Sequence, residues 1–99
     1  MKNFRTFDLS VKLYRECVKL SLPRHLKDQL QRASSSVVLN LAEGRGRMSK
    51  GDQRRFYQIA FGSLRESQAI LHLVESDSEA FKLADIVAAH LYKLIKSIR

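Results

Sequence analysis

Apolar positions recur along the chain at three- and four-residue intervals, the period of a single helix face. From Asp8 to Leu20 the series is Leu9, Leu13, Cys17 and Leu20, widened by Tyr14 and Val18, with Asp8 placed to act as an N-cap. Ser21-Leu22-Pro23 interrupts it, and Pro23 suits the first turn of a following helix. The next stripe is Leu26, Leu30, Ala33, Val37 and Leu41, narrow as in a bundle helix, with Lys27, Gln31 and Arg32 on the opposite face.

A third segment begins after Met48. Ser49-Lys50-Gly51-Asp52 has the form of a capping box, in which the Ser49 hydroxyl and the Asp52 carboxylate satisfy orphan amides reciprocally. Phe56, Ile59, Ala60, Ser63, Leu64, Ile70, Leu71 and Val74 then predict its buried side. Ser76-Asp77-Ser78-Glu79 predicts a second capping box, followed by Phe81, Ala84, Val87, Ala88, Leu91, Leu94, Ile95 and Ile98 on one face. No stretch alternates with period two between turn signals, so no strand is predicted. Segments two to four each run to roughly 20 to 25 residues, about 30 to 38 Å of helix. Helices of similar length on short loops pack in opposite directions, which predicts an all-α fold, an antiparallel up-down-up-down four-helix bundle.

Composition narrows the class. A chain of 99 residues makes one domain, residues 1–99, and an apolar fraction of 44% argues against disorder. The lone Cys17 has no partner for an internal disulfide and reads as a small core residue on an apolar helix face. No segment has the length of a signal peptide's apolar core or a membrane span, so a soluble, cytoplasmic protein without membrane association is expected.

Charge adds a functional clue. Lys and Arg number 18 against 10 Asp and Glu, a formal net charge of +8, which favours a polyanionic partner. The excess is polarised: Arg24, Lys27, Arg32, Arg45, Arg47, Lys50, Arg54 and Arg55 face only Asp28, Glu43 and Asp52 in that stretch, whereas residues 65–81 carry one base and four acids. Lys50, Arg54 and Arg55 fall at a helix N-terminus, where cations oppose the dipole, so helix stability gives no obvious reason for them. Anion binding does, with free amides of the third helix adding to the attraction.

The glycines of this turn do not make a nucleotide loop. A Walker loop needs G-x-x-x-x-G-K-[ST] after a strand, whereas Asp52 follows Gly51 here and a helix precedes the turn. Gly44 or Gly46 instead suits a helix C-terminus in the left-handed conformation. Beside the apolar stripe, Ser36 and Asn40 require hydrogen-bond partners if buried, and the third helix offers Gly62, Ser63, Glu66 and Ser67. Ser36, Asn40, Glu43, Ser63 and Glu66 are therefore expected to form a structural polar network. A catalytic reading would use Glu43 and Glu66, but His25, His72 and His90 are scattered without ligand spacing, so no catalytic residue, metal, cofactor or small-molecule substrate is expected.

Residues 29–67, QLQRASSSVVLNLAEGRGRMSKGDQRRFYQIAFGSLRES, resemble the family of 23S ribosomal RNA intervening-sequence proteins. The resemblance rests on Gln29, Arg32-Ala33, Ser36, Asn40-Leu41-Ala42-Glu43-Gly44, Arg47, Ser49, Arg55-Phe56, Ala60-Phe61-Gly62-Ser63 and Glu66. It implies a four-helix bundle and a ring-shaped homopentamer, with the accessory protein of diversity-generating retroelements as a relative of similar architecture and basic surface. It also implies an RNA or DNA partner. The combined expectation is a non-catalytic, oligomeric, weakly sequence-specific nucleic-acid-binding protein using Arg45, Arg47, Lys50, Arg54, Arg55, Arg32 and Lys27. The alternative is a structural or protein-interaction helical module that binds no nucleic acid.

Overall fold

The computed structural model describes residues 4–98. They form four helices, α1 (Phe4–Val18), α2 (Arg24–Arg45), α3 (Lys50–Leu73) and α4 (Glu79–Lys96), with no strand among them. α1 begins a turn earlier than the apolar series indicates, so Asp8 is an exposed residue inside the helix and not its cap. Packing explains the extension: Thr6 is buried and Phe7 lies against the core, so the turn before Asp8 has tertiary contacts of its own.

Pro23 is the N-cap of α2, and its carbonyl accepts from the amides of Leu26 and Lys27 at 3.0 and 2.9 Å. Ser49 caps α3, its hydroxyl accepting from the Asp52 amide at 3.1 Å. The second capping box does not form. Ser78 takes the N-cap position of α4, but its hydroxyl is engaged with the Ser76 hydroxyl at 2.6 Å and makes no bond to the helix amides.

α2 packs on α3 over the most extensive of the helix pairings, α1 on α2, α3 on α4, and α1 on α4, which closes the circuit. The buried side chains form one cluster, with Leu13, Leu30, Val37, Tyr57, Leu64, Leu71, Val87 and Leu91 at its centre. In α3 the buried residues are Tyr57, Ala60, Leu64, Ser67, Ile70 and Leu71; Phe56 is half-buried and Ile59 is 42% exposed. Tyr57 displaces them because it faces a gap that only a glycine on α2 leaves open. A Cβ on Gly44 would stand 2.8 Å from Tyr57 Cε1 and 2.9 Å from Cδ1.

Gly44 is thus a residue of close approach inside α2, and no glycine among the described residues has the left-handed conformation. α2 ends at Gly46 in right-handed geometry (φ −80, ψ −4), where the Gly46 amide bonds the carbonyls of Ala42 and Glu43. The left-handed position falls at Glu75 (φ 53), just beyond α3. There the Glu75 amide bonds the His72 carbonyl and the Ser76 amide bonds the Leu71 carbonyl, both at 3.0 Å, the paired hydrogen bonds of a Schellman turn.

Candidate nucleic-acid interface

The site is assembled where α2 ends and α3 begins. Arg45 closes α2, Arg47 and Lys50 flank the turn, and Arg54 and Arg55 lie in the first turns of α3. Phe56, displaced from the core by Tyr57, becomes a platform for this charge. The guanidinium carbons of Arg47 and Arg55 each sit 4.6 Å from its ring centre. Such contacts hold a cation in place without neutralising it. Arg47 also meets Glu43 at 2.6 Å, one helical turn back, and Arg55 approaches Asp52 at 4.0 Å; both pairs are exposed, where an ion pair contributes little. The tip of the turn is Met48, whose side chain is entirely exposed.

Arg54 gives a structural reason for one of the cations at the α3 N-terminus. Its Nη2 donates to the Ile98 carbonyl at 2.9 Å, so a positive charge disfavoured by its own helix meets the negative end of α4. The same contact brings the last turn of α4 to the site, with Lys93 and Lys96, and with Tyr92 55% exposed and 5.7 Å from the Lys96 ammonium. These lysines escape sequence reasoning because they lie about forty positions from Arg54 along the chain. The basic side chains around the turn, Arg45, Arg47, Lys50, Arg54 and Arg55, are thus joined by the end of α4 with Lys93 and Lys96, and the acids beside the turn are Glu43 and Asp52.

Two expected contributors lie elsewhere. Lys27 donates to the carbonyls of Leu20 and Val18 at 2.8 and 3.2 Å, closing the open end of α1, and stands roughly 27 Å from Arg45 along α2. Arg32 is exposed about 20 Å from Arg45, where it lines a shallow groove with Gln29, Ala33, Ser36, Ser63 and Glu66. Contiguity in sequence misled here, because a straight helix spreads residues that a sequence window groups together.

The polar network is smaller than expected. The Ser36 and Ser63 hydroxyls meet at 2.8 Å between α2 and α3, and Asn40 Nδ2 donates to the Ser36 carbonyl and hydroxyl at 2.9 and 3.0 Å. Glu43 and Glu66 are exposed and stand outside it, with Glu43 turned to Arg47. Glu43 adjoins Gly44 and hence Tyr57, whereas Glu66 lies about 13 Å further along α3, too far for the two carboxylates to act as a pair. Ser10, Ser34 and Ser67 are fully buried serines that the pattern did not single out, and each hydroxyl bonds a carbonyl of its own helix. Cys17 lies against Ser34 in the core, where burial pushes its thiol up to about 11, partly offset by the Ser34 hydrogen bond. Burial likewise raises the Tyr57 phenol, against the charge of Arg45.

Among the described residues no three His, Cys, Asp or Glu side chains group as they would to hold a metal ion, and no helix is long and apolar enough to cross a membrane. Fold and site together define an all-α protein of four helices with a cluster of basic side chains around the α2–α3 turn. The chain matches the family model of the 23S rRNA-intervening sequence protein over residues 2–98, and it belongs to that family. No curated protein matches it.

Proposed function

We propose that the chain is a non-catalytic, homo-oligomeric nucleic-acid-binding protein that holds RNA or DNA phosphates on the basic end built by the α2–α3 turn and the last turn of α4. The observation that carries this reading is the clustering of Arg47, Lys50, Arg54 and Arg55 around the α2–α3 turn, with Phe56 holding Arg47 and Arg55 in a fixed display. Backbone contacts of this kind give weak sequence preference. The helices run up-down-up-down as one antiparallel domain, a reading supported by Gly44 lying beside Phe56 and Tyr57 while Ser36 bonds Ser63. Assembly of several copies, five as the family resemblance implies, multiplies the basic end and adds avidity. Exposed Leu39, Ile59, Leu73 and Ile86 supply apolar surface for that assembly, in a cytoplasmic setting. The same surface favours a second reading, in which it docks an unrelated helical protein and the charge merely keeps the chain in solution.

Fluorescence anisotropy with structured RNA and duplex DNA across a salt series tests the proposal. Five displayed cations, Arg47, Lys50, Arg55, Lys93 and Lys96, predict a slope of log K against log salt of about −4.5 per protomer on duplex DNA. Arg47→Ala with Arg55→Ala would reduce that slope by about 2. Absence of binding at low salt, or binding indifferent to these substitutions, overturns the reading. Light scattering of the free protein gives the oligomer number, and a pull-down that recovers protein after nuclease treatment but no nucleic acid favours the second reading.

A further inference from the structure

Phosphate binding alone requires charge, but the basic end also presents groups that charge does not explain. Met48 stands wholly in solvent at the tip of the turn, between Arg47 and Lys50. Tyr92 is more than half exposed one turn before the end of α4, with the Lys96 ammonium at its ring. Neither side chain contributes to the hydrophobic core, and both stand among cations rather than on the apolar sides of the helices. Such groups gain little on the phosphate face of a duplex, whose bases are already stacked. Against a strand with unpaired bases they offer surfaces on which a base can stack while neighbouring cations hold the flanking phosphates.

We infer that the basic end binds single-stranded nucleic acid, with Tyr92 as a stacking surface and Met48 as an apolar contact for unpaired bases, and Arg47, Lys50 and Lys96 on the adjacent phosphates. This rests on the reading of that end as a nucleic-acid interface and specifies its ligand class. The wild-type protein binds a single strand of about twelve nucleotides more tightly than a blunt duplex with the same number of phosphates. Met48→Ala with Tyr92→Ala weakens single-strand binding on the order of tenfold or more and leaves duplex binding and its salt slope in place. Met48→Leu with Tyr92→Phe retains the preference.

The experiment uses the full chain and four probes: single-stranded RNA, single-stranded DNA, and the duplex form of each. Each single strand carries one 2-aminopurine, whose fluorescence reports base stacking. A stronger response from RNA than from DNA strands, or the reverse, identifies which of the two sources of unpaired bases the site takes. Equal affinity for strand and duplex, or an equal loss on both in the alanine variant, overturns the inference and leaves the phosphate reading standing. Failure to bind any of the four removes both. Capture by anionic lipid vesicles with no oligonucleotide binding also overturns it, since Met48 would then be inserting into lipid. Both positions are exposed, and unchanged circular dichroism of the variants confirms that the fold is not what was lost.

Discussion

Gly44→Ala and Gly62→Ala are the same chemical change in two long helices, and the structure assigns them opposite signs. Glycine within a helix costs about 1 kcal/mol relative to alanine, so propensity alone predicts that both substitutions stabilise. At Gly62 a Cβ meets nothing within 4 Å, and a gain of about 0.5 to 1 kcal/mol is expected. At Gly44 the new methyl would stand 2.8 and 2.9 Å from the Tyr57 ring and 3.0 Å from Phe56 Cβ. The ring cannot retreat, because Tyr57 is 1% exposed and lies within the α2–α3 contact, so relief requires the helices to move apart. Overpacking of this kind costs about 1 to 3 kcal/mol, which exceeds the propensity gain and leaves Gly44→Ala less stable by about 1 kcal/mol. Thermal and urea unfolding followed by circular dichroism would show this as a Tm lower by about 4 to 8 °C, with Gly62→Ala moving the other way. A Tyr57→Leu background should absorb most of the Gly44→Ala penalty, a coupling of about 1 kcal/mol in a double-mutant cycle. If Gly44→Ala proves as stable as the parent, or the two substitutions shift Tm in the same direction, the close-approach argument is wrong.

Alkaline pH should loosen the fold through Cys17. With the thiol raised from 9.0 to about 11 in the folded chain, the stability it contributes is fully present below pH 9 and is lost as pH rises toward 11, because only the unfolded chain releases the proton in that window. The loss is about 2 to 3 kcal/mol, and urea midpoints measured against pH should fall more steeply for the parent than for Cys17→Ala. Tyr57 acts in the same direction above its ordinary range, so some slope persists in that variant. Glu75→Gly should raise Tm, since it relieves a left-handed backbone and removes a negative charge from the α3 C-terminus, together about 1 kcal/mol; an unchanged or lower Tm would contradict the strain. Ser63→Ala should cost about 1 kcal/mol by removing the hydroxyl bond between α2 and α3 and leaving the Ser36 hydroxyl with the Asn40 amide alone, and an unchanged urea midpoint would contradict this.

The number of helices, their approximate ends and most of the α2 and α4 core were legible because 3.6-residue periodicity is a local property. What was not legible depends on pairs brought together from afar. Ile59 and Tyr57 have comparable hydrophobic claims, and only the space at Gly44 decides which is buried. Asp8 has cap chemistry, yet Thr6 and Phe7 pull the helix past it through contacts no local rule contains. Of the basic residues, Arg47 and Lys50 fall at the expected end, Lys27 and Arg32 do not, and Lys93 and Lys96 join through the Arg54 bond to Ile98. Glu43 and Glu66 were grouped by motif, but exposure separates them from the serines that meet in space.

Lys27 and Arg54 have a further bearing on the chain's positive charge. Each uses its cation to fasten the carbonyl end of a helix other than its own, Lys27 that of α1 and Arg54 that of α4. Lys27 and Arg54 therefore act as fasteners, whose neutralisation would register first as unfolding, whereas neutralising a charge displayed at the turn such as Lys50 would register in the grip on a ligand. Acetylation of Lys27 would act as a destabilising modification far from any phosphate, whereas the same modification at Lys50 would leave the helices in place and change only the electrostatic field they present.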